Sequence, residues 1–107
     1  MNWQYLTSLS QLKQLTDKSF KNPVLIFKHS TRCSISKMIL TRFEREWDNK
    51  IILPFFVDLI NYRNISNEIA IIFKIKHESP QVLVINNGKC VNHSSHNAIS
   101  AKKIKII

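Results

Sequence analysis

Cys33-Ser34-Ile35-Ser36 is the stretch of this chain that can do covalent chemistry. It has the spacing of a C-x-x-C redox motif with serine in the second cysteine's place, so no local disulfide can form. A lone thiol of this kind attacks a mixed disulfide, releases one sulfur and keeps the other. A second small thiol must then clear it. The nucleophilic form of sulfur is the thiolate. Cys33 stands between an apolar run ending at Phe27 and a helical pattern beginning at Ser34, where the free N–H groups and dipole of a helix start attract an anion. Lys28, His29 and Arg32 add nearby positive charge. Free cysteine is often only a small buried hydrophobe, but Ser30, Thr31, Arg32 and Ser34 make a polar flank that argues against burial. Ser36 is placed to donate a hydrogen bond to the thiolate.

The second half of such a site is usually a proline beside the cysteine, and Ser79-Pro80 stands just before an apolar run. A cis bond there would leave the backbone of Ser79 open to an extended substrate segment, as in strand addition. An ordinary strand-initiating proline is the alternative. Either His29 or His77 can tune the thiol, move a proton or serve only as a hydrogen-bonding surface group. Cys90, His93 and His96 recur at three-residue intervals, but a fourth zinc ligand is not evident, and on a strand this spacing sends side chains to different faces. No metal site is expected. Cys90 reads as a structural thiol rather than a distant resolving one, and Trp3 and Trp47 as core or interface aromatics.

The elements that must position Cys33 follow from periodicity. Ser8 with Gln11 three residues on makes a capping box ahead of Leu9, Leu12 and Leu15. Val24 to Phe27 is a continuous apolar run, as in a strand covered on both faces. Ile35, Ile39, Phe43 and Trp47 fall four apart and predict a helix from Ser34. Ile51 to Val57 is a second strand, with Pro54 marking a bulge or an edge. Ile65, Ser66, Ile69, Ile72 and Phe73 give a third helix, and Gln81 to Ile85 a third strand. Asn86-Asn87-Gly88 turns the chain back into Lys89 to His93, and Ser100 caps a last short helix. Helix, strand, helix, strand, helix, strand, strand, helix is the thioredoxin order. It implies an α/β, thioredoxin-like fold with a central mixed sheet of about four strands flanked by helices.

The length suits one domain over residues 1–107 with a self-sufficient core. Apolar residues make up 44% and charged residues 21%, which excludes a disordered chain. The sequence shows neither a signal-peptide pattern nor an apolar run of bilayer length, so a cytoplasmic address, no membrane association and reduced cysteines are expected. Sixteen Lys and Arg against seven Asp and Glu give a charge of +9. The basic residues are dispersed and accompany no recognition motif, so no nucleic-acid partner is expected.

Phe27-Lys28-His29-Ser30-Thr31-Arg32-Cys33-Ser34-Ile35-Ser36 resembles the YtxJ-type monothiol bacilliredoxins, small thioredoxin-like proteins of the bacillithiol system. The resemblance continues through Tyr62 to Ala70, His77-Glu78-Ser79-Pro80-Gln81, and Ser95-His96. It implies removal of bacillithiol, or a similar small thiol, from S-thiolated protein cysteines. Cys33 would be the nucleophile, Ser36 its neighbour at the resolving position, and Ser79-Pro80 the cis-proline wall. Lys28 and Arg32 would contact bacillithiol carboxylates, and Ser30 and Thr31 complete the implied binding set. Bacillithiol is the implied co-substrate, no cofactor is tightly held, and a monomer is expected. Two departures stand out: Ser34 replaces the family's usual proline after the cysteine, and Lys74 stands where a helix-ending glycine is common. A redox-responsive partner-binding module and a glutaredoxin-like iron–sulfur carrier remain the alternative readings.

Overall fold

The computed structural model describes residues 1–104. Its elements run β1 (Gln4–Tyr5), α1 (Leu9–Lys18), β2 (Val24–His29), α2 (Ser34–Glu46), β3 (Leu53–Asp58), α3 (Arg63–Phe73), β4 (Gln81–Asn86) and β5 (Lys89–Ser95), then two 3-10 turns at His96–Ala98 and Ala101–Lys103. The sheet order is β1-β3-β2-β4-β5. β1, β3 and β2 are parallel, and β2, β4 and β5 are antiparallel.

β2 is central and buried along its whole length. Its alternate residues face opposite layers. Val24 and Ile26 join Leu12, Leu15, Ile65, Ile69 and Phe73 beneath α1 and α3. Leu25 and Phe27 join Ile39 and Phe43 beneath α2. The second layer is aromatic: Phe43 lies 5.3 Å from Phe27 and 5.4 Å from Trp47, centroid to centroid. Trp3 stacks on Phe43 and donates its indole N–H to Glu44 Oε2 at 2.7 Å, tying the N-terminal segment to α2. These contacts hold α2 at a set height over β2, and with it the sulfur at its start.

The local devices are those the sequence announced. Ser8 and Gln11 form a reciprocal capping box on α1. Asn87 and Gly88 both take positive φ (53° and 74°), and the hairpin docks on the end of α1 through Gly88 N–H to Ser19 Oγ at 2.8 Å. Lys74 ends α3 in the left-handed conformation at φ 57°. Pro54 lies where β3 is an edge, because β1 reaches only Phe55 and Phe56.

Four details differ from expectation. The sheet has a fifth strand, β1, which at two residues is too short to show a period. The last helix is a 3-10 turn, and Ser100 makes no side-chain cap bond to it. The return strand continues to Ser95. Leu9, Ile35 and Ile72 are exposed despite their helical spacing. Among the described residues no helix is long and apolar enough to cross a membrane.

Candidate active site

β2 ends at His29 and α2 begins at Ser34, so Cys33 is the N-cap residue of α2, on extended backbone (φ −108°, ψ 119°). Its N–H donates to Ser30 O at 3.2 Å, and its carbonyl accepts from Lys37 N–H at 3.1 Å, closing the first helical turn. The side chain is half-buried. The first turn of α2 carries no acidic residue, so the positive end of the helix faces the sulfur without a competing carboxylate.

Ser36 occupies the N3 position and is fully buried. Cys33 makes no side-chain cap hydrogen bond, but N-cap and N3 are the two positions that a C-x-x-C motif can join by a disulfide, so the two side chains are within reach of each other. Ser36 Oγ is also tied to the end of β2: it lies 2.8 Å from His29 Nδ1 and accepts the Ser30 N–H at 3.2 Å. His29 is buried, with its ring 5.6 Å from that of Phe56. Burial pushes its pKa below the ordinary 6.5; Asp58, its partner across the parallel ladder, and Glu44 oppose that shift, and Lys37 adds to it.

Lys28 corrects the sequence reading. It is not an outward anion contact, because its side chain is completely buried on the α1–α3 side of β2. Its Nζ lies 3.3 Å from His77 Nδ1, and His77 Nδ1 is 3.3 Å from Ser66 Oγ. Desolvation lowers the Lys28 pKa from 10.5 to about 8. Burial, then Lys28 and Arg63, lower that of His77, with Glu78 opposing. This group ties the segment before Ser79 to the central strand.

β2 and β4 pair up to Lys28 opposite Gln81. The ladder ends there, so Ser79-Pro80 lies just beyond it, at the end of the sheet that carries Cys33. The Ser79–Pro80 peptide bond is cis. Pro80 is buried and its carbonyl accepts His96 N–H at 3.0 Å. Ser79 Oγ is buried without a hydrogen-bond partner among the described residues. Thr31 and Arg32 are exposed and Ser30 is half-buried. Thr31 lines a groove of about 400 Å³ with Tyr5, Thr7, Phe56, Asp58 and Tyr62.

Cys90 lies elsewhere. It pairs with Ile85, which pairs with Val24 at the far end of β2, roughly 17 Å along the strand from the Cys33 end at ~3.3 Å per residue. It is half-buried, its thiol donates to Asn92 O at 3.4 Å, and burial pushes its pKa up. His96 Nε2 is 3.1 Å from Glu78 Oε2. Among the described residues no three His, Cys, Asp or Glu side chains gather as a metal site would require.

Sequence reasoning missed the His29–Ser36 link and the inward course of Lys28. The signal for the second was present: in a run buried on both faces, Lys28 shares the side of Val24 and Ile26, and His29 that of Leu25 and Phe27.

The profile of the family described as monothiol bacilliredoxin BrxC matches residues 4–104. The chain belongs to this family. Among solved structures, it is similar to a thioredoxin-fold protein with a provisional oxidoreductase assignment, at 28% identity and a TM-score of 0.80, over 92% of this chain and 86% of that one. It also superposes on the thioredoxin of Malassezia sympodialis, at 24% identity and a TM-score of 0.71, over 88% of this chain and 78% of that one. For the thioredoxin of Trypanosoma brucei brucei the values are 17% and 0.72, over 94% and 80%. The last two likenesses establish the fold alone. Family and fold together make this a thioredoxin-like redox protein of the monothiol bacilliredoxin type.

Proposed function

We propose that this protein is a cytoplasmic, monomeric monothiol oxidoreductase that removes bacillithiol from S-thiolated protein cysteines. The observation that carries the reading is Cys33 at the N-cap of α2 with Ser36, not cysteine, one turn on, in a chain of the monothiol bacilliredoxin family. The Cys33 thiolate attacks the bacillithiol sulfur of the mixed disulfide. The target protein leaves as its thiolate, and bacillithiol stays disulfide-bonded to Cys33. A second bacillithiol thiolate then attacks that bond, giving bacillithiol disulfide and free Cys33. With serine in the resolving position, the external thiol is obligatory.

Ser30, Thr31, Arg32, Ser79 and Pro80 form the proposed binding rim. Exposed Arg32 suits the carboxylates of the small thiol. The groove beside Thr31 offers room for its remaining atoms. Ser79, beside the cis bond, would offer its backbone to an extended substrate segment. Lys28 acts from within the fold, by holding His77, and not as a ligand contact.

The test is a pair of substrates, one protein carrying bacillithiol and the same protein carrying glutathione, with release followed by mass spectrometry. Faster release of bacillithiol, abolished by Cys33→Ser, supports the reading. Equal release by Cys33→Ser overturns it, and a preference for glutathione overturns the assigned thiol.

A further inference from the structure

We propose that His29 is a positioning and proton-accepting residue that acts on Cys33 through Ser36. Ser36 Oγ takes the thiol proton as it passes its own to His29 Nδ1. The S–H bond and the old Oγ–H bond break, a new Oγ–H and an Nδ1–H form, and the products are a thiolate and an imidazolium, with no net change in protons. This rests on Cys33 being the working nucleophile but not on the identity of the small thiol.

The argument is one of hydrogen-bond capacity. A serine hydroxyl has one donor and two acceptor positions. Ser36 Oγ spends one acceptor position on Ser30 N–H at 3.2 Å and another direction on His29 Nδ1 at 2.8 Å. The direction left over is open: Cys33, at the N-cap, makes no side-chain cap bond in the resting structure, and the C-x-x-C spacing, which lets two side chains at these positions bond to each other, puts Ser36 Oγ within reach of its sulfur. Which way the single Ser36 proton points is therefore set by His29. With a bare Nδ1, the proton points to the ring and the sulfur receives none. Once Nδ1 carries a proton, it donates to Oγ and the Ser36 O–H turns to the thiolate. The resting thiol thus pairs with neutral His29, and the thiolate with protonated His29.

Burial, the largest influence, and Lys37 on α2 favour the neutral ring, which leaves Nδ1 free to accept, while Asp58 on β3 and Glu44 on α2 oppose them and favour the imidazolium. Lys28, though adjacent in sequence, faces the opposite layer of the sheet. Because Ser36 is fully buried, water does not replace the link.

The experiment measures carboxamidomethylation of Cys33 by iodoacetamide across pH 5 to 9 in the full chain, resolved by peptide mass so that Cys90 does not contribute. Ser36→Ala should slow Cys33 alkylation at pH 7 by about tenfold, the worth of one hydrogen bond to a charged group. Ser36→Thr, which keeps the hydroxyl, should recover most of the rate. His29→Gln should remove the histidine inflection from the profile. If that variant does not fold, NMR titration of the His29 ring answers the same question. Its midpoint should move when Cys33 is replaced by alanine. A wild-type alkylation profile in Ser36→Ala, or a His29 titration indifferent to Cys33→Ala, overturns the proposal. Iodoacetamide involves no bacillithiol, so failure of the relay and failure of the proposed substrate are separately visible.

Discussion

Lys28→Met should stabilise this protein at neutral pH and remove a rise in stability that the wild type shows in alkali. Lys28 is wholly buried, and Nζ meets His77 Nδ1 at 3.3 Å. Among the described residues no carboxylate pairs with it, the ion pairs being His96–Glu78 and Lys102–Glu46. The folded pKa of about 8 lies below the unfolded 10.5. The folded state therefore binds fewer protons than the unfolded state between these values, and stability rises with pH across that window. Linkage places the cost of keeping this ammonium buried at about 3 kcal/mol at pH 7 and about 1 kcal/mol at pH 10. Methionine fills a similar volume without the charge, and His77 keeps Ser66 Oγ as a partner. Urea denaturation at pH 7 and pH 10 measures the difference between variant and wild type, in which the other titrating groups cancel. The advantage of Lys28→Met should shrink by about 2 kcal/mol or more between the two pH values. Parallel pH dependences, or a variant less stable than wild type at pH 7, would refute the reasoning and mean that the ammonium is solvated or paired.

Acid should act in the opposite direction through the two depressed histidines. His29 and His77 hold fewer protons folded than unfolded, so the stability they contribute is present above about pH 6.5 and is lost as pH falls through their lowered values. Thermal melts at pH 7 and pH 5 should show a smaller loss in His77→Gln than in wild type, and equal losses would contradict this. Lys74→Gly should raise stability by about 1 kcal/mol, because Lys74 sits at φ 57° where glycine has no steric cost; a lowered denaturation midpoint would count against it.

The sequence shows the site better than it shows what lies behind it. Cys33, Ser36 and Pro80 are legible because a strand end, a helix start and a strand-initiating proline each leave a local mark. The helix patterns over-reach at Leu9, Ile35 and Ile72, since periodicity gives a face and not how far the neighbouring layer extends. β1 is invisible because two residues carry no period, and what holds that segment is the packing of Trp3 against α2 and β3. Lys28 misleads through its residue type: lysine is seldom buried, and only the alternation of β2 places it inward. His29 and Ser36, seven residues apart, meet because Cys33 caps a helix that folds back over the strand it follows, a tertiary relation that residue spacing does not encode.

The most direct measurement is to mix the protein with a bacillithiolated target in the absence of free bacillithiol and map the adduct by peptide mass spectrometry. The account predicts that bacillithiol lost from the target is recovered on the Cys33 peptide in equal amount, none of it on Cys90. Release without an adduct on Cys33, or an adduct that forms first on Cys90, would contradict the claim that Cys33 is the working sulfur.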